Sequence, residues 1–431
     1  MTGLFMFLAA LALLMIGFPV AFAFGSAAVL FAFFTPDVGL DIFKLLPYRI
    51  YGIMQNFTLM AIPLFIFMGL ILEKSKIAEA LLINVGKLFG NVRGGLAIST
   101  VLVGMVLAAS TGIVGASVVM MGIISLPIMM RYGYSKSLAS GTIAASGTLG
   151  QIIPPSIVLI ILGDVMSVSV GDLFRAAVGP ALVLVTLYVL YILFISYRYP
   201  LVAPAITDDN EDRKTVIIQA IKSIIPPLLL ITLVLGSIFA GVATPTESAA
   251  FGVVGAMVLS ILNGSFSFEN IKYGTLETVK LTSMIFMILI GATAFSLVFN
   301  GVGGDEVILE FFEDDVGGKW AFIAIAMISI FILGFFIDFL EISFIVIPIL
   351  LPIVELYDID PIWFAILVAM NLQASFLTPP FGFALFYLKG AAGSLVTTMD
   401  IYKGVIPFII LQLLALFLII WFPSIVGLFL D

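Results

Sequence analysis

Cysteine and histidine are both absent from the chain. Their absence excludes disulfides, thiolate or imidazole metal sites, iron–sulfur clusters, a cysteine nucleophile and any Ser/His catalytic pair. Charge is scarce as well. Asp, Glu, Lys and Arg make up 10% of the residues, against roughly 25% in a soluble domain. Acids outnumber bases 26 to 18 and the formal charge is −8, so a nucleic-acid partner is not expected. No phosphate-binding Gly-x-x-x-x-Gly-Lys-Ser/Thr run occurs, because Gly86-Lys87 and Gly318-Lys319 are followed by Leu88 and Trp320. ATP hydrolysis by this chain is therefore not expected, and no organic cofactor is called for.

What remains is apolar. Hydrophobic residues are 62% of the chain, with 39 Gly, 20 Pro and 39 Phe, and Gly and Pro are commoner in membrane helices than in soluble ones. The composition reads as an all-α polytopic membrane protein embedded in a lipid bilayer. At about 20 apolar residues per crossing, the length has room for about ten to twelve transmembrane helices. The N-terminus begins Met-Thr-Gly-Leu-Phe with no basic stretch, so it reads as a retained span and not a cleaved signal.

Apolar runs fall near 4–18, 19–36, 50–72, 94–110, 111–130, 136–163 and 173–198. After a hydrophilic connection, Tyr199 to Lys222, a second set follows near 223–241, 246–263, 278–300, 320–337, 338–356, 361–388 and 401–429. Two sets of seven point to a duplicated half, with a first repeat over 1–198, the connection over 199–222 and a second repeat over 223–431. The test is positional. Leu126-Pro127 maps onto Leu351-Pro352, Tyr132 onto Tyr357 and Pro154-Pro155 onto Pro379-Pro380, all at an offset of 225. Such coincidence is hard to produce by chance. Counting runs does not settle whether the halves are inverted. Lys74, Lys76, Lys87 and Arg93 make 73–93 the best cytoplasmic candidate.

Two runs cannot be continuous helices. Ser140 to Ser156 holds Pro154 and Pro155 among hydroxyls, and Asn371 to Gly382 holds Pro379 and Pro380. The first proline pair lacks N–H groups and frees the carbonyls of Gly150 and Gln151. Non-helical backbone at membrane depth is tolerated only where it lines a cavity or is covered by protein. These breaks, near 136–163 and 361–388, are therefore binding-site candidates. An ending half-helix offers carbonyl oxygens which, with Ser146 and Thr148, suit a small hard cation such as sodium; a restarting half-helix offers N–H groups to an anion. Asn371, Ser375 and Thr378 repeat the logic. Candidate substrate contacts are Gln151, Pro154, Pro155 and Ser156 in the first break, and Gln373, Pro379 and Pro380 in the second.

A shorter polar element precedes each break: Ala109 to Ser117, and Gly334 to Ser343. Both read as tips of re-entrant hairpins, near 105–130 and 330–356, too short to cross and return. The offset puts Ile113 opposite Asp338 and Ala116 opposite Glu341. An intramembrane carboxylate is a functional candidate by default; a loop end at the water surface is the competing reading. Thr244-Pro-Thr-Glu247 reads as a helix start with a capping box. Asp164 and Lys389, equivalent by offset and opposite in charge, read as surface anchors. The acids of 208–212 and 305–315 read as solvated loops.

Three stretches carry a family resemblance: Gly-Ile-Val-Gly-Ala-Ser-Val-Val from Gly112, Gly-Thr-Ile-Ala-Ala-Ser-Gly-Thr-Leu-Gly-Gln-Ile-Ile-Pro-Pro-Ser from Gly141, and Ala-Thr-Pro-Thr-Glu-Ser-Ala-Ala from Ala243. With them the chain resembles, over essentially its whole length, the large membrane subunit of TRAP (tripartite ATP-independent periplasmic) transporters. The resemblance implies a sodium-coupled importer of an organic acid such as sialic acid, a C4-dicarboxylate or a 2-oxo acid, in a bacterial or archaeal inner membrane. It implies a periplasmic binding protein that delivers substrate and a separate small membrane subunit of about four helices. It also implies two inverted repeats with two hairpins and two broken helices, moving as an elevator. Sodium sites carried over by motif fall at Ser110, Thr111 and Gly112 with Ser146, Gly147 and Thr148, and around Asp338 with Asn371, Ser375 and Thr378; sodium is the one metal ion expected.

Other classes fit less well. A stand-alone sodium/dicarboxylate symporter keeps the architecture and drops the binding protein. An aspartyl intramembrane protease built on Asp338 needs a second aspartate in matching context, which the sequence does not offer. A passive channel does not explain duplicated breaks.

Overall fold

A computed structural model describes residues 1–36, 38–89, 92–111, 114–205, 213–315 and 317–430. The acids of 208–212 lie outside these residues. The described chain is helical throughout: α1 Thr2–Ile16, α2 Val20–Phe34, α3 Leu46–Met54, α4 Ala61–Lys74, α5 Ile77–Leu88, α6 Gly95–Thr111, α7 Val114–Arg131, α8 Lys136–Thr148, α9 Ile157–Val165, α10 Val170–Arg198, α11 Arg213–Phe239, α12 Pro245–Leu262, α13 Phe268–Gly301, α14 Gly304–Glu310, α15 Lys319–Leu333, α16 Phe339–Glu341, α17 Ile347–Leu356, α18 Pro361–Leu377, α19 Phe383–Ala392, α20 Thr398–Trp421 and α21 Ser424–Gly427.

Among the described residues, seven helices are long and apolar enough to cross a membrane, or eight if the pair Leu40–Met54 and Thr58–Lys74, bent by 61°, counts as one span. Length and composition led to an expectation of ten to twelve. The difference lies in six apolar helices of 10–17 residues, which fall short of the roughly 20 residues a crossing needs. Several of them are halves of the interrupted runs.

Helix starts are set locally. Ser135 caps α8, its hydroxyl accepting from Leu138 N–H at 3.2 Å. Asp360 caps α18, accepting from Ile362 and Trp363 N–H at 2.8 and 3.1 Å, with Pro361 in the first turn. The capping box read at Thr244 and Glu247 is present at the start of α12. Thr397 and Asp400 form a second one at the start of α20.

The two helices that lead into the prolines are the core. Every residue of α8 from Leu138 to Thr148 is buried, and so is every residue of α18 from Trp363 to Leu377. Helix α8 lies against α20 at a backbone crossing: a methyl group on Gly141 would collide with the Gly404 carbonyl, and one on Gly404 with the Ser137 carbonyl. Small residues at such crossings let backbones approach closely. At the periphery, α11 buries only 17% of its most apolar window, so it faces lipid or a partner.

Helices Gly95–Thr111 and Val114–Arg131 flank the first polar tip, and Lys319–Leu333 and the segment Phe339–Leu356 flank the second. At about 1.5 Å per residue, an 18-residue arm is about 27 Å long, close to the hydrocarbon thickness. Apolar sequence continues as helix on both sides of each polar tip. The acids near 305–315, read as a solvated loop, do not form one. They ride on α14 and a following π-helical turn, Phe311–Asp315, to which Tyr357 Oη donates at the Phe312 carbonyl (2.6 Å).

Candidate functional site

The chain leaves helix where the prolines dictate. After α8 a 3₁₀ turn runs Leu149–Gln151, and irregular backbone follows to Ser156 before α9 begins. Helix α18 ends at Leu377 and α19 restarts at Phe383. Both proline pairs, Pro154-Pro155 and Pro379-Pro380, are joined by cis peptide bonds. The freed carbonyl of Gln151 is taken by the Ser156 hydroxyl at 2.6 Å. At the second break Gly382 N–H donates to the Thr378 carbonyl at 3.0 Å and Tyr402 Oη to the Pro380 carbonyl at 3.1 Å.

The two breaks differ in exposure. Leu149 through Ser156 are all buried, whereas Thr378 and Pro379 are half-buried and Pro380 and Phe381 are exposed. The ends of α6 and α15 lie close to the two breaks. Ala108, near the end of α6, lies 3.7 Å from where a methyl on Gly150 would sit. Gly334, at the end of α15, lies against the Ser375 hydroxyl, and the rings of Phe336 and Phe381 are 5.3 Å apart.

The candidate cation ligands share one arrangement. Ser146 donates to the Thr142 carbonyl (2.6 Å), Thr148 to Ala145 (2.8 Å), Ser375 to Leu372 (2.8 Å) and Thr378 to Ala374 (2.7 Å). A hydroxyl has one proton and two lone pairs. Spending the proton on its own helix turns the lone pairs outward, where a hard cation can use them. For Ser146, Ser375 and Thr378 no donor among the described residues claims them. Thr148 differs. Its oxygen accepts from Gln373 Nε2 at 3.5 Å and Gln412 Nε2 at 3.4 Å, so a cation there must displace an amide.

Asn371 donates to the Met327 carbonyl at 2.6 Å and ties α18 to the hairpin arm α15. Gly147 sits against Val118 of α7, where a methyl would collide. Asp338 is half-buried and caps α16, accepting from Phe339 N–H at 2.6 Å. Glu341 is 2% exposed, which removes the reading of this tip as a loop end at the water surface for that residue. Gly112, Ile113 and the side chains of Ser110 and Thr111 lie outside the described residues, so the first tip's share of a cation site has no geometry here.

Among the candidate substrate contacts, Gln151 is 1% exposed and neither amide atom has a hydrogen-bond partner among the described residues; Gln373 Oε1 is likewise unpartnered among them. Buried amides without partners are uncommon, and Gln151 is one, whereas Gln373 still donates through Nε2 to Thr148. Gln412 and Tyr188 complete the buried polar cluster around Thr148: the Gln373 and Gln412 amides approach the Tyr188 hydroxyl without completing a bond of ordinary geometry. The sequence reading missed both residues, since each sits singly in an apolar run.

It also missed a cavity of about 490 Å³ between the end of α4, the hairpin arm α7 and α13, lined among others by Glu73, Lys74, Lys76, Gly115 and Tyr387. Lys74 stands over the Tyr273 ring at 4.3 Å. Lys76 adopts φ 58°, a conformation L-residues seldom take. Its turn is held by Ser75, whose hydroxyl accepts from Ile77 N–H (3.4 Å) and whose carbonyl accepts from Asn263 (2.6 Å). The lysines had been read for topology alone. The offset pair Asp164 and Lys389, read as surface anchors, are half-buried and hold other parts of the chain: Asp164 accepts from the Asn56 amide, and Lys389 donates to the Gly393 and Val396 carbonyls at 2.7 and 2.9 Å.

Known proteins resemble this chain in sequence or in fold. The family model for the DctM component of the tripartite ATP-independent periplasmic transporter matches residues 7–425. The C4-dicarboxylate TRAP transporter large permease protein DctM of Pseudomonas aeruginosa is 31% identical over 93% of this chain and 91% of its own length. Its namesake from Rhodobacter capsulatus is 28% identical over 99% and 98%. The solved structure of the Alcanivorax borkumensis YdaH transporter, described as having an unusual topology, superposes with a TM-score of 0.61 at 14% identity, covering 93% of this chain and 91% of that one, a likeness of fold. A model spanning nearly the whole chain decides the matter: the chain belongs to the family of large permease subunits of tripartite ATP-independent periplasmic transporters.

Proposed function

We propose that the chain is the large transmembrane subunit of a sodium-coupled secondary active importer of a small organic acid. A periplasmic binding protein hands over the substrate, a small membrane subunit of about four helices braces the scaffold, and the assembly sits in a bacterial or archaeal inner membrane. The halves 1–198 and 223–431, joined by 199–222, are inverted repeats, and the hairpin-and-break units move together as an elevator. A carboxylate substrate in the C4-dicarboxylate class is the reading that the named relatives support.

One observation carries the coupling. Hydroxyls flanking both proline breaks direct their protons to their own helices, leaving oxygen lone pairs free at Ser146, Ser375 and Thr378. Sodium binding at these positions then orders the breaks, and the half-helix starts beside them receive the substrate carboxylate. The repeat reading draws support from element bounds: Val114–Arg131 and Phe339–Leu356 differ by 225 at both ends, and α8 and α18 start 225 apart.

The test is uptake of labelled succinate and related acids into proteoliposomes, with and without an inward sodium gradient, the small subunit and the binding protein. Uptake needing all of them is the expected result. Uptake by the chain alone would establish a stand-alone symporter instead, and sodium-independent uptake would remove the cation role from these hydroxyls.

A further inference from the structure

The cavity of about 490 Å³ between α4, α7 and α13 is as large as a small-molecule site, about 300–1,000 Å³. Its lining divides by chemistry. Helix α7 contributes Val119, Met120, Ile123 and Ile124, an apolar wall. On α4 the lining passes from Leu70 to Glu73 and Lys74 within one turn, and on α13 from Leu281 to Glu277 and Tyr273. Lys74 stands over the Tyr273 ring at 4.3 Å, so the charged ends of both helices coincide. They meet beside the turn that carries Lys76 and Glu79, which also line the cavity. The cavity is therefore amphiphilic, charged at one end and apolar along its length.

Most of the charges are already matched. Glu73 pairs with Lys74 at 3.8 Å, and Glu277 with Lys280 at 2.5 Å. Lys76 and Glu79 are exposed, and neither makes an ion pair among the described residues. The backbone, and not a partner, holds Lys76 in place. Beside it the Ser75 hydroxyl donates to the Leu72 carbonyl at 2.6 Å and accepts from Ile77 N–H at 3.4 Å, while the Ser75 carbonyl accepts from Asn263 at 2.6 Å. These bonds fix Lys76 at φ 58°. Sparsely populated backbone that its surroundings over-determine is a feature of ligand clamps.

We propose that this cavity binds a zwitterionic aminophospholipid, with its phosphate on Lys76, its ammonium group on Glu79 and an acyl chain along α7. One unpaired cation beside one unpaired anion, next to an aliphatic wall, matches that molecule in charge and in polarity. A small carboxylate matches it less well, because Glu79 opposes the charge and the α7 wall offers it no hydrogen bond. The lysine and arginine of 73–93 assign the site to the cytoplasmic leaflet, where basic pockets between membrane helices take lipid headgroups. A lipid seated there fills the gap between α7 and the α4–α13 pair, and its binding energy stabilises the conformation that contains the gap. The site requires only that the chain lies in a bilayer, and it stands apart from the transport of an organic acid.

The full chain, purified in detergent and stripped of lipid, is titrated with dioleoyl phosphatidylethanolamine and followed by native mass spectrometry. Lys76→Gln is expected to weaken binding about fivefold, the share of one lysine at a lipid headgroup. Val119→Trp, which fills the cavity, is expected to abolish it; should that variant fail to fold, Ile123→Trp replaces it. Lys44→Gln, whose lysine pairs with Asp41 outside the cavity, is expected to change nothing. Dioleoyl phosphatidylglycerol keeps the phosphate and lacks the amine, so it should bind more weakly, and Glu79→Gln should remove the difference. Equal binding of the two lipids by the unmodified chain overturns the zwitterionic assignment. Free phosphoethanolamine binding as tightly as the lipid overturns the acyl-chain part. Affinity unchanged in Lys76→Gln, or unchanged in the cavity-filling variant, puts the lipid elsewhere and overturns the site.

Discussion

Gln373 Nε2 donates to Thr148 Oγ1 at 3.5 Å, and the two residues are 225 positions apart, the same offset that relates Pro154-Pro155 to Pro379-Pro380. The two residues touch where α8 and α18 approach their breaks. The contact fixes the depth of one break relative to the other. With Gln412 it also consumes both lone pairs of Thr148.

Competition for that oxygen gives a first expectation. Thr148→Ala strands two buried amides, at a cost of about 1–3 kcal/mol, and it is expected to weaken sodium dependence of uptake more than it weakens assembly. Gln412→Leu removes one competitor and should raise apparent sodium affinity. Sodium titrations of uptake check both, and an unchanged titration in Thr148→Ala would take that residue out of the cation site.

Restoring helical capacity at the first break should be fatal to transport. With Pro154→Ala and Pro155→Ala together, the backbone regains its N–H donors and α8 can continue toward α9. Membrane insertion should be retained and uptake abolished. Normal uptake by the double variant would refute the interrupted-helix account.

The absence of cysteine makes a cross-link test clean. Asn56 and Asp164 are hydrogen-bonded across 108 positions, joining the turn before α4 to the end of α9. Asn56→Cys with Asp164→Cys should form a disulfide under mild oxidation, arrest uptake if α9 moves against that turn, and recover on reduction. Full uptake by the cross-linked protein would rule out such movement.

Backbone proximity at Gly141 and Gly404 leaves no room for a side chain. Gly404→Val is expected to cost about 1–3 kcal/mol and lower Tm. Gly390→Ala, where nothing lies within 4 Å of the added group, is the matched control and should leave Tm unchanged. Thermal unfolding in detergent reads the difference.

At the polar turn between α7 and α8, burial pushes the Tyr134 phenol up to about 12, against hydrogen bonds from Leu96 and Ala97 that act the other way. The folded state keeps the proton longer than the unfolded state does. The stabilisation is therefore complete below pH ~10 and is lost as pH rises toward about 12, with a magnitude on the order of 2 kcal/mol. Tm should fall over that interval, and Tyr134→Phe should flatten the fall. An equal slope in the variant would assign the loss to other groups.

The breaks were legible because proline chemistry is local: a Pro-Pro pair in an apolar run interrupts helix whatever surrounds it. The Thr244 cap was legible for the same reason. The ends of the helices that flank the polar tips were not, since an apolar residue at a helix end and one in its middle look alike in a one-dimensional pattern. The acids after Asp305 looked like a loop by charge, but Tyr357 reaches across 45 positions to hold their turn.

Sequence by itself determined that this chain is a helical membrane protein, where its helices must stop, and which family it joins. Tertiary structure decided which hydroxyls keep free lone pairs, that one break is sealed while the other is open, that Asp338 caps and Glu341 is buried, and that Lys76 enters a cavity. The physical reason is the range of the forces involved. Backbone donors, caps and prolines act within a few residues, whereas burial and the sharing of an oxygen between Gln373 and Gln412 depend on segments that meet only once the chain has packed.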